Sequence, residues 1–263
     1  MITIQKYTRA QSLEEAYQLN LNKRNRVIGG MLWVKMGSGS VNTAIDLCDL
    51  GLGRIEENDE AFSIGASVTL RDIELHEGLN AYTCGAVKKA VKDIVGVQFR
   101  NMATVGGSIW GRFGFSDVLT VFLAMDSYVE LYKGGVMSLE QFAAMGYERD
   151  ILVRLIVKKT PGRFSYQSMR IQRTDFPVLA CAVSEMEGKY RAVLGARPGR
   201  AMVIRDEAGL LAGGVTPESA KAFADYAAEK TPTQSNVRGS AQYRTQLVRV
   251  LTERAALELT EVK

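Results

Sequence analysis

Ala103-Thr104-Val105-Gly106-Gly107-Ser108-Ile109, preceded by Arg100-Asn101-Met102 and followed by Trp110-Gly111-Arg112-Phe113-Gly114-Phe115-Ser116-Asp117, decides how this chain is read. A glycine pair placed where an apolar stretch runs out leaves backbone N–H groups with no side chain over them, so an anion can approach closely. The feature occurs earlier as well, in Val27-Ile28-Gly29-Gly30-Met31-Leu32. Two such loops suggest one shared anion. Thr104, the amides from Gly106 to Ser108 and the Ser108 hydroxyl are neutral donors suited to a diphosphate, and Asp117 can accept from a ribose or polyol hydroxyl. From the residues alone a plainer reading stands beside this one: the glycines allow a tight turn, and Ser116 with Asp117 begins a helix.

Composition narrows the class. The 263 residues are 46% hydrophobic and 24% charged, enough for one large domain or two modest ones. With 33 Lys+Arg against 29 Asp+Glu, the net charge of +4 is too small to argue for nucleic acid. Cys48, Cys84 and Cys181 form no CxxC and fit free buried thiols in a reducing compartment. His76 is the single histidine, which argues against a Ser-His-Asp triad or a His-rich metal centre. A metal ligand set is not expected on this chain. Met1 to Tyr7 reads as a short alternating strand rather than a leader, and Val118 to Met125 is far too short to span a membrane. A cytoplasmic location is expected.

Outward from the glycine loops, the pattern predicts an α+β chain. Ser12-Leu13-Glu14-Glu15 is a capping box opening a helix, and Arg26 to Ile28 is a short strand, giving a β-α-β start without G-x-G-x-x-G. Ala61 to Val68 reads as a strand, with Thr69 to Asp72 capping a short helix after it. Helical spacing runs from Cys84 to Val95, a helix starts at Asp117, and Tyr128 to Tyr132 and Ile151 to Val157 are strands. Ser138 caps a brief helix, and Thr160-Pro161-Gly162 marks a domain boundary. Beyond it, Phe176 to Val183 and Tyr190 to Leu194 form a hairpin, Thr216-Pro217 starts one helix and the region of Ser240 another.

The stretch Gln98 to Ile109, with Ser116-Asp117-Val118-Leu119 and Leu123-Ala124-Met125-Asp126, resembles the signature of the FAD-binding medium subunit of the molybdenum hydroxylases, the enzymes of xanthine dehydrogenase and carbon monoxide dehydrogenase type. The likeness extends through Ile28-Gly29-Gly30, Ile64 to Leu70, Arg173-Thr174-Asp175-Phe176-Pro177, Leu194 to Pro198 and Arg238 to Arg244. It implies a two-subdomain FAD-binding fold of the vanillyl-alcohol-oxidase/PCMH type at 1–158, with subdomains of about 1–55 and 56–158, followed by a C-terminal α+β domain at 159–263. By this resemblance Val27, Ile28, Gly29, Gly30, Met31, Leu32, Trp33 and Val34, together with Ala103, Thr104, Val105, Gly106, Gly107 and Ser108, hold the FAD pyrophosphate. Ser116 and Asp117 meet the sugar chain, and Ile94 and Leu152 fall where relatives pack on the cofactor, or are ordinary core residues.

The chain departs from the family at Met31 and Leu32, where relatives carry Thr and an acidic residue, and at Arg112 to Phe115, where small residues and proline are usual. Gln167 stands where a basic residue is expected, with Arg170 and Arg173 nearby. The resemblance implies an oxidoreductase subunit, with no classical catalytic acid or base of its own, that carries electrons from [2Fe-2S] clusters of a small subunit to NAD+ or another acceptor, while substrate is hydroxylated at the molybdopterin of a large subunit. Three dispersed cysteines cannot ligate a cluster, so clusters and molybdopterin belong to those partners. Two alternatives are a scaffold subunit that has lost FAD and a stand-alone flavin oxidoreductase of the same fold.

Overall fold

The structure, a computed structural model, describes residues 1–261. In chain order its first half runs β1 (Ile2–Arg9), α1 (Leu13–Asn20), β2 (Arg26–Ile28), β3 (Gly39–Asp46), β4 (Ile55–Glu57), β5 (Ala61–Gly65), α2 (Leu70–Leu75), α3 (Glu77–Tyr82), α4 (Ala86–Val91), α5 (Val97–Arg100), α6 (Val105–Trp110) and α7 (Asp117–Leu123). It continues through β6 (Ser127–Leu131), β7 (Gly135–Ser138), α8 (Leu139–Ala144), β8 (Leu152–Lys158), β9 (Gly162–Arg170), β10 (Pro177–Met186), β11 (Lys189–Gly195), β12 (Met202–Arg205), α9 (Pro217–Lys230) and α10 (Ala241–Glu261). Two compact units result, neither continuous in sequence: 1–72, 97–111 and 127–157 form the first, and 73–96, 112–126 and 158 onward the second.

The first unit carries two sheets. β3 lies between β1 and β2 and runs parallel to both. The expected β-α-β start is therefore completed by a central strand that the sequence reading omitted. The second sheet has the order β4-β5-β8-β6-β7. Ile45 and Leu47 pack with Leu52, Ile151 and Val153 in one buried cluster. Asp150, buried, accepts N–H bonds from Lys133, Gly134 and Ile151 and so fixes the turn between β6 and β7. Local capping follows the sequence closely. Ser12 accepts from the Glu15 amide, although Glu15 reaches Gln11 N–H rather than Ser12, and Ser138 with Gln141 makes a full capping box.

Two predicted elements differ from their expected form. The helix read from Cys84 to Val95 is shortened to α4, because Cys84 and Val95 take left-handed backbone at φ +54° and +50°. Ile94 thus falls beyond the helix. The second glycine stretch is not an open loop but the first turns of α6, capped by Thr104, whose side chain accepts from Gly107 N–H.

The second unit is built on an antiparallel sheet of order β12-β11-β10-β9. β10 is buried at nearly all its positions because helices cover both faces. Val178, Cys181 and Val183 join Phe223, Ala227, Leu247, Val248 and Leu251 from α9 and α10 in one core, and Cys181 Sγ lies 3.5 Å from Thr252 Oγ1. Of the three cysteines expected to be buried only Cys181 is; Cys48, in the turn after β3, is exposed and Cys84, between α3 and α4, is half-buried. α7 packs on β10 and β11 from the other side, so close that a Cβ on Gly195 would lie 2.2 Å from Thr120 Oγ1.

That contact gives a test of the packing. Gly195→Ala is expected to cost about 1–3 kcal/mol of unfolding free energy by overpacking. Thr120→Ala leaves its Cβ 3.4 Å from the new methyl, so in that background the same change should cost well under about 1 kcal/mol. Urea denaturation of the four members of the cycle reads this out.

Candidate functional site

In the first unit the structure brings the two glycine stretches side by side. A Cβ built on Gly30 would lie 1.7 Å from the Met102 carbonyl oxygen, and one on Gly29 would lie 2.9 Å from Thr104 Oγ1. Gly106 is equally confined, 2.5 Å from the Ala66 carbonyl oxygen by the same measure. These glycines are therefore required by backbone-to-backbone packing, whatever else the segment does.

The capacity to bind an anion depends on which N–H groups remain open. Val105 N–H bonds Val68 O, Gly106 N–H bonds Ala66 O, Gly107 N–H bonds Thr104 Oγ1 and Ser108 N–H bonds Thr104 O. The second stretch thus spends internally the amides that the sequence reading assigned to a diphosphate. Thr104 keeps its hydroxyl proton, because Oγ1 only accepts there, while the Ser108 hydroxyl donates to Thr104 O.

The first stretch is the reverse case. The N–H groups of Gly29, Gly30, Met31 and Leu32 meet no acceptor among the described residues, and all four residues are at least partly exposed. Met31 sits at φ +59°, a left-handed conformation that costs a non-glycine residue about 1–2 kcal/mol. Such an alternation in backbone handedness turns successive N–H groups toward one concavity. Val27 and Ile28 end β2 beneath it, while Trp33 and Val34 lead into a 3-10 turn at Val34–Met36. The polar followers missing at Met31 and Leu32 are side chains; the amides of those residues are the open donors.

The second unit holds the other charged candidate. Asp117 opens α7, with Ser116 as its N-cap accepting from Leu119 N–H, and its side chain is 5% exposed. Tyr166 Oη donates to Asp117 Oδ1, and Arg170 Nη2 donates to the same oxygen at 2.7 Å. Oδ2 takes no hydrogen bond from another residue among the described residues. Burial pushes the Asp117 carboxyl above the ordinary carboxylate range, opposed by the Arg170 charge and by the bonds from Arg170, Tyr166 and its own backbone N–H. Burial, then Asp117, hold the Tyr166 phenol far above its usual value, so it is a donor.

Strand parity separates the remaining candidates. Tyr166 and Arg170 share the face of β9 that meets α7, whereas Gln167 lies on the opposite face and donates to Glu258 of α10 at 2.7 Å. Glu258 also receives Lys89 Nζ at 2.7 Å and the Ser165 hydroxyl, which hold its carboxyl below the usual range despite its burial. Asp117 and Gln167 are thus not brought together. Arg173 reaches Asp93 at 2.8 Å, and Asp175 binds Arg238 at 2.7 Å. Ile94 is half-buried after α4 and Leu152 is 7% exposed at the start of β8. Sequence reasoning passed over Tyr166 entirely and left Arg170 undecided. Writing β9 with period two from Phe164 would have placed both on one face.

Comparison with known proteins covers the whole described fold. Residues 2–159 match the family model of the FAD binding domain in molybdopterin dehydrogenase, and residues 164–259 match that of the CO dehydrogenase flavoprotein C-terminal domain. The chain is 24% identical over 253 residues to the uncharacterized protein YgfM of Escherichia coli K12, covering 94% of this chain and 93% of that one. It is 24% identical over 275 residues to the nicotine 6-hydroxylase medium subunit of Paenarthrobacter nicotinovorans, covering 96% of each. Among solved structures, a chain of reconstituted CO dehydrogenase from Oligotropha carboxidovorans superposes with a TM-score of 0.86 at 20% identity, over 99% of both chains.

Adjacent substitutions in the first stretch should act in opposite directions. Gly30→Ala drives a methyl into the Met102 carbonyl and is expected to destabilise the fold by about 2 kcal/mol or more. Met31→Gly relieves the left-handed strain and is expected to be neutral or stabilising by up to about 1 kcal/mol. Chemical denaturation of both variants checks the pair.

Proposed function

We propose a function from one premise: the chain belongs to the family of the FAD binding domain in molybdopterin dehydrogenase, and its own open donors suit that cofactor. The observation that carries the reading is the run of accessible, unbonded amides from Gly29 to Leu32 beside the Thr104 hydroxyl. Neutral donors of this kind bind a diphosphate without a counter-charge, as backbone nests do elsewhere. In this reading Gly29, Gly30, Met31 and Leu32 donate to the diphosphate and Thr104 adds its hydroxyl. Gly106, Gly107 and Ser108 act by shaping: their internally bonded amides hold Thr104 in place. Asp117 accepts from a hydroxyl of the sugar chain, and its N-cap Ser116 fixes where α7 begins. Val27, Ile28, Trp33, Val34, Ile94, Ala103, Val105 and Leu152 supply apolar or backbone surroundings, while Gln167 acts within the second unit through Glu258.

Bound FAD would supply the redox chemistry, accepting electrons from [2Fe-2S] clusters of a small subunit and passing them to NAD+ or another acceptor, with molybdopterin on a large subunit. The relative named as the medium subunit of nicotine 6-hydroxylase, and another named as the medium chain of the Sulfolobus acidocaldarius glyceraldehyde dehydrogenase, support a place in such a multi-subunit oxidoreductase. The chain's own residues bind and orient the cofactor. Among the described residues no group of three or more His, Cys, Asp or Glu is arranged to hold a metal ion, and no helix is long and apolar enough to cross a membrane. We propose that the complex works in the cytoplasm.

Purified protein is expected to show flavin absorbance near ~450 nm, or to acquire it on addition of FAD. Protein that stays folded yet cannot be loaded overturns the reading in favour of a flavin-free scaffold. Thr104→Asp keeps an N-cap side chain but sets a carboxylate against the diphosphate, and is expected to lower FAD affinity about tenfold or more, with Thr104→Asn as the neutral control. Equal affinity in both variants would remove Thr104 from the site. Co-purification with iron–sulfur and molybdenum subunits separates the proposed complex from a stand-alone flavoenzyme.

A further inference from the structure

Asp117 raises a question that the fold does not answer. Two donors from β9, the Tyr166 hydroxyl and Arg170 Nη2, converge on its Oδ1, while Oδ2 of the same 5%-exposed side chain receives nothing from another residue among the described residues. A carboxylate whose only task is to pin α7 to β9 would be expected to share its donors between both oxygens, since the Arg170 fork can bind bidentately. Here the fork is divided instead. Arg170 Nη1 donates to the Asp175 carbonyl and Nε to Ser168 Oγ at 3.3 Å, leaving Nη2 alone for Asp117. Arg170 is thereby anchored at three points, and Tyr166, fully buried on the strand, cannot swing away.

We propose that Tyr166 and Arg170 are positioning residues: they clamp one oxygen of Asp117 so that the other stands preset as acceptor for a hydroxyl of the sugar chain of bound FAD. This rests on the cofactor reading above and deepens it at one atom. The clamp acts in two ways. It fixes the carboxyl plane, so no rotamer freedom is lost when the hydroxyl arrives. The Arg170 charge also opposes the burial that favours the protonated, donating form of Asp117.

The test is FAD titration of the full chain, followed by flavin fluorescence, for wild type, Tyr166→Phe, Arg170→Met, Arg170→Lys and Asp117→Asn. Thermal unfolding of the same proteins without FAD is run alongside. Tyr166→Phe and Arg170→Met are expected to weaken FAD binding about tenfold each, about 1.4 kcal/mol. Arg170→Lys should recover at least half of that loss. Placing Tyr166→Phe on top of Asp117→Asn should weaken binding no further, because the oxygen being positioned is gone. A purely structural role would lower the unfolding temperature while leaving FAD affinity within twofold of wild type, and that result in Tyr166→Phe overturns the proposal even if Arg170→Met does not fold. Independent, additive losses from Tyr166→Phe and Asp117→Asn overturn it as well. Wild type that binds no FAD overturns the cofactor reading and this proposal with it, so the two failures are distinguishable.

Discussion

The backbone of Gly30 lies against the carbonyl of Met102 with no space for a side chain, and much of the candidate site is arranged around that contact. It sets the end of β2 beside the entry to α6, which brings Gly29 against Thr104. Thr104 in turn caps α6 through Gly107 N–H and cannot shift without uncapping the helix. One close approach therefore fixes two segments far apart in sequence. Its consequence for binding is asymmetric: α6 absorbs its own amides in helix formation, while the first stretch, released from β2 and turned by the left-handed Met31, keeps its amides open.

This changes what the glycines mean. A glycine pair is usually read as access for a ligand, yet Gly30 and Gly106 are demanded by protein backbone, at distances that no Cβ tolerates. In the proposed site the donors are instead the main-chain amides from Gly29 to Leu32, which no other residue among the described residues engages. That is why Met31 and Leu32, whose side chains break the family pattern, need not break its chemistry. A backbone donor persists under substitution of the side chain, provided the residue can hold its φ.

Most local elements were legible because their signals are local. Ser12, Thr69, Ser116, Ser138 and Thr216 announce their helices through a side-chain oxygen placed before an apolar run, and each serves as a cap in the fold. What escaped was set by distant packing. Two adjacent glycines argue against a helix by roughly 1 kcal/mol each, so α6 reads as a loop until the Ala66 carbonyl is known to occupy the space over Gly106. β3 begins with Gly39-Ser40-Val41-Asn42, too polar to stand out, and owes its central place to partners on both sides. β9 hid because Ser165 and Gln167, which would normally face solvent, are buried or half-buried against Glu258. The discontinuity of both compact units has no local signal at all.

The face of β9 opposite Glu258 carries the more consequential arrangement. An ionised carboxylate as buried as Asp117 is costly to desolvate, and a buried ion pair often stabilises no more than apolar residues of the same volume would. Stability alone is thus a weak reason to place Asp117, Arg170 and Tyr166 between α7 and a sheet face otherwise packed with Ala180, Ala182 and Val193. Convergence of both side-chain donors on one oxygen weakens that reason further, because the other oxygen takes no bond from another residue among the described residues. The arrangement becomes economical once the second oxygen has a partner from outside the chain. A hydroxyl on that oxygen then adds to the donors from Tyr166 and Arg170 that offset the cost of desolvation.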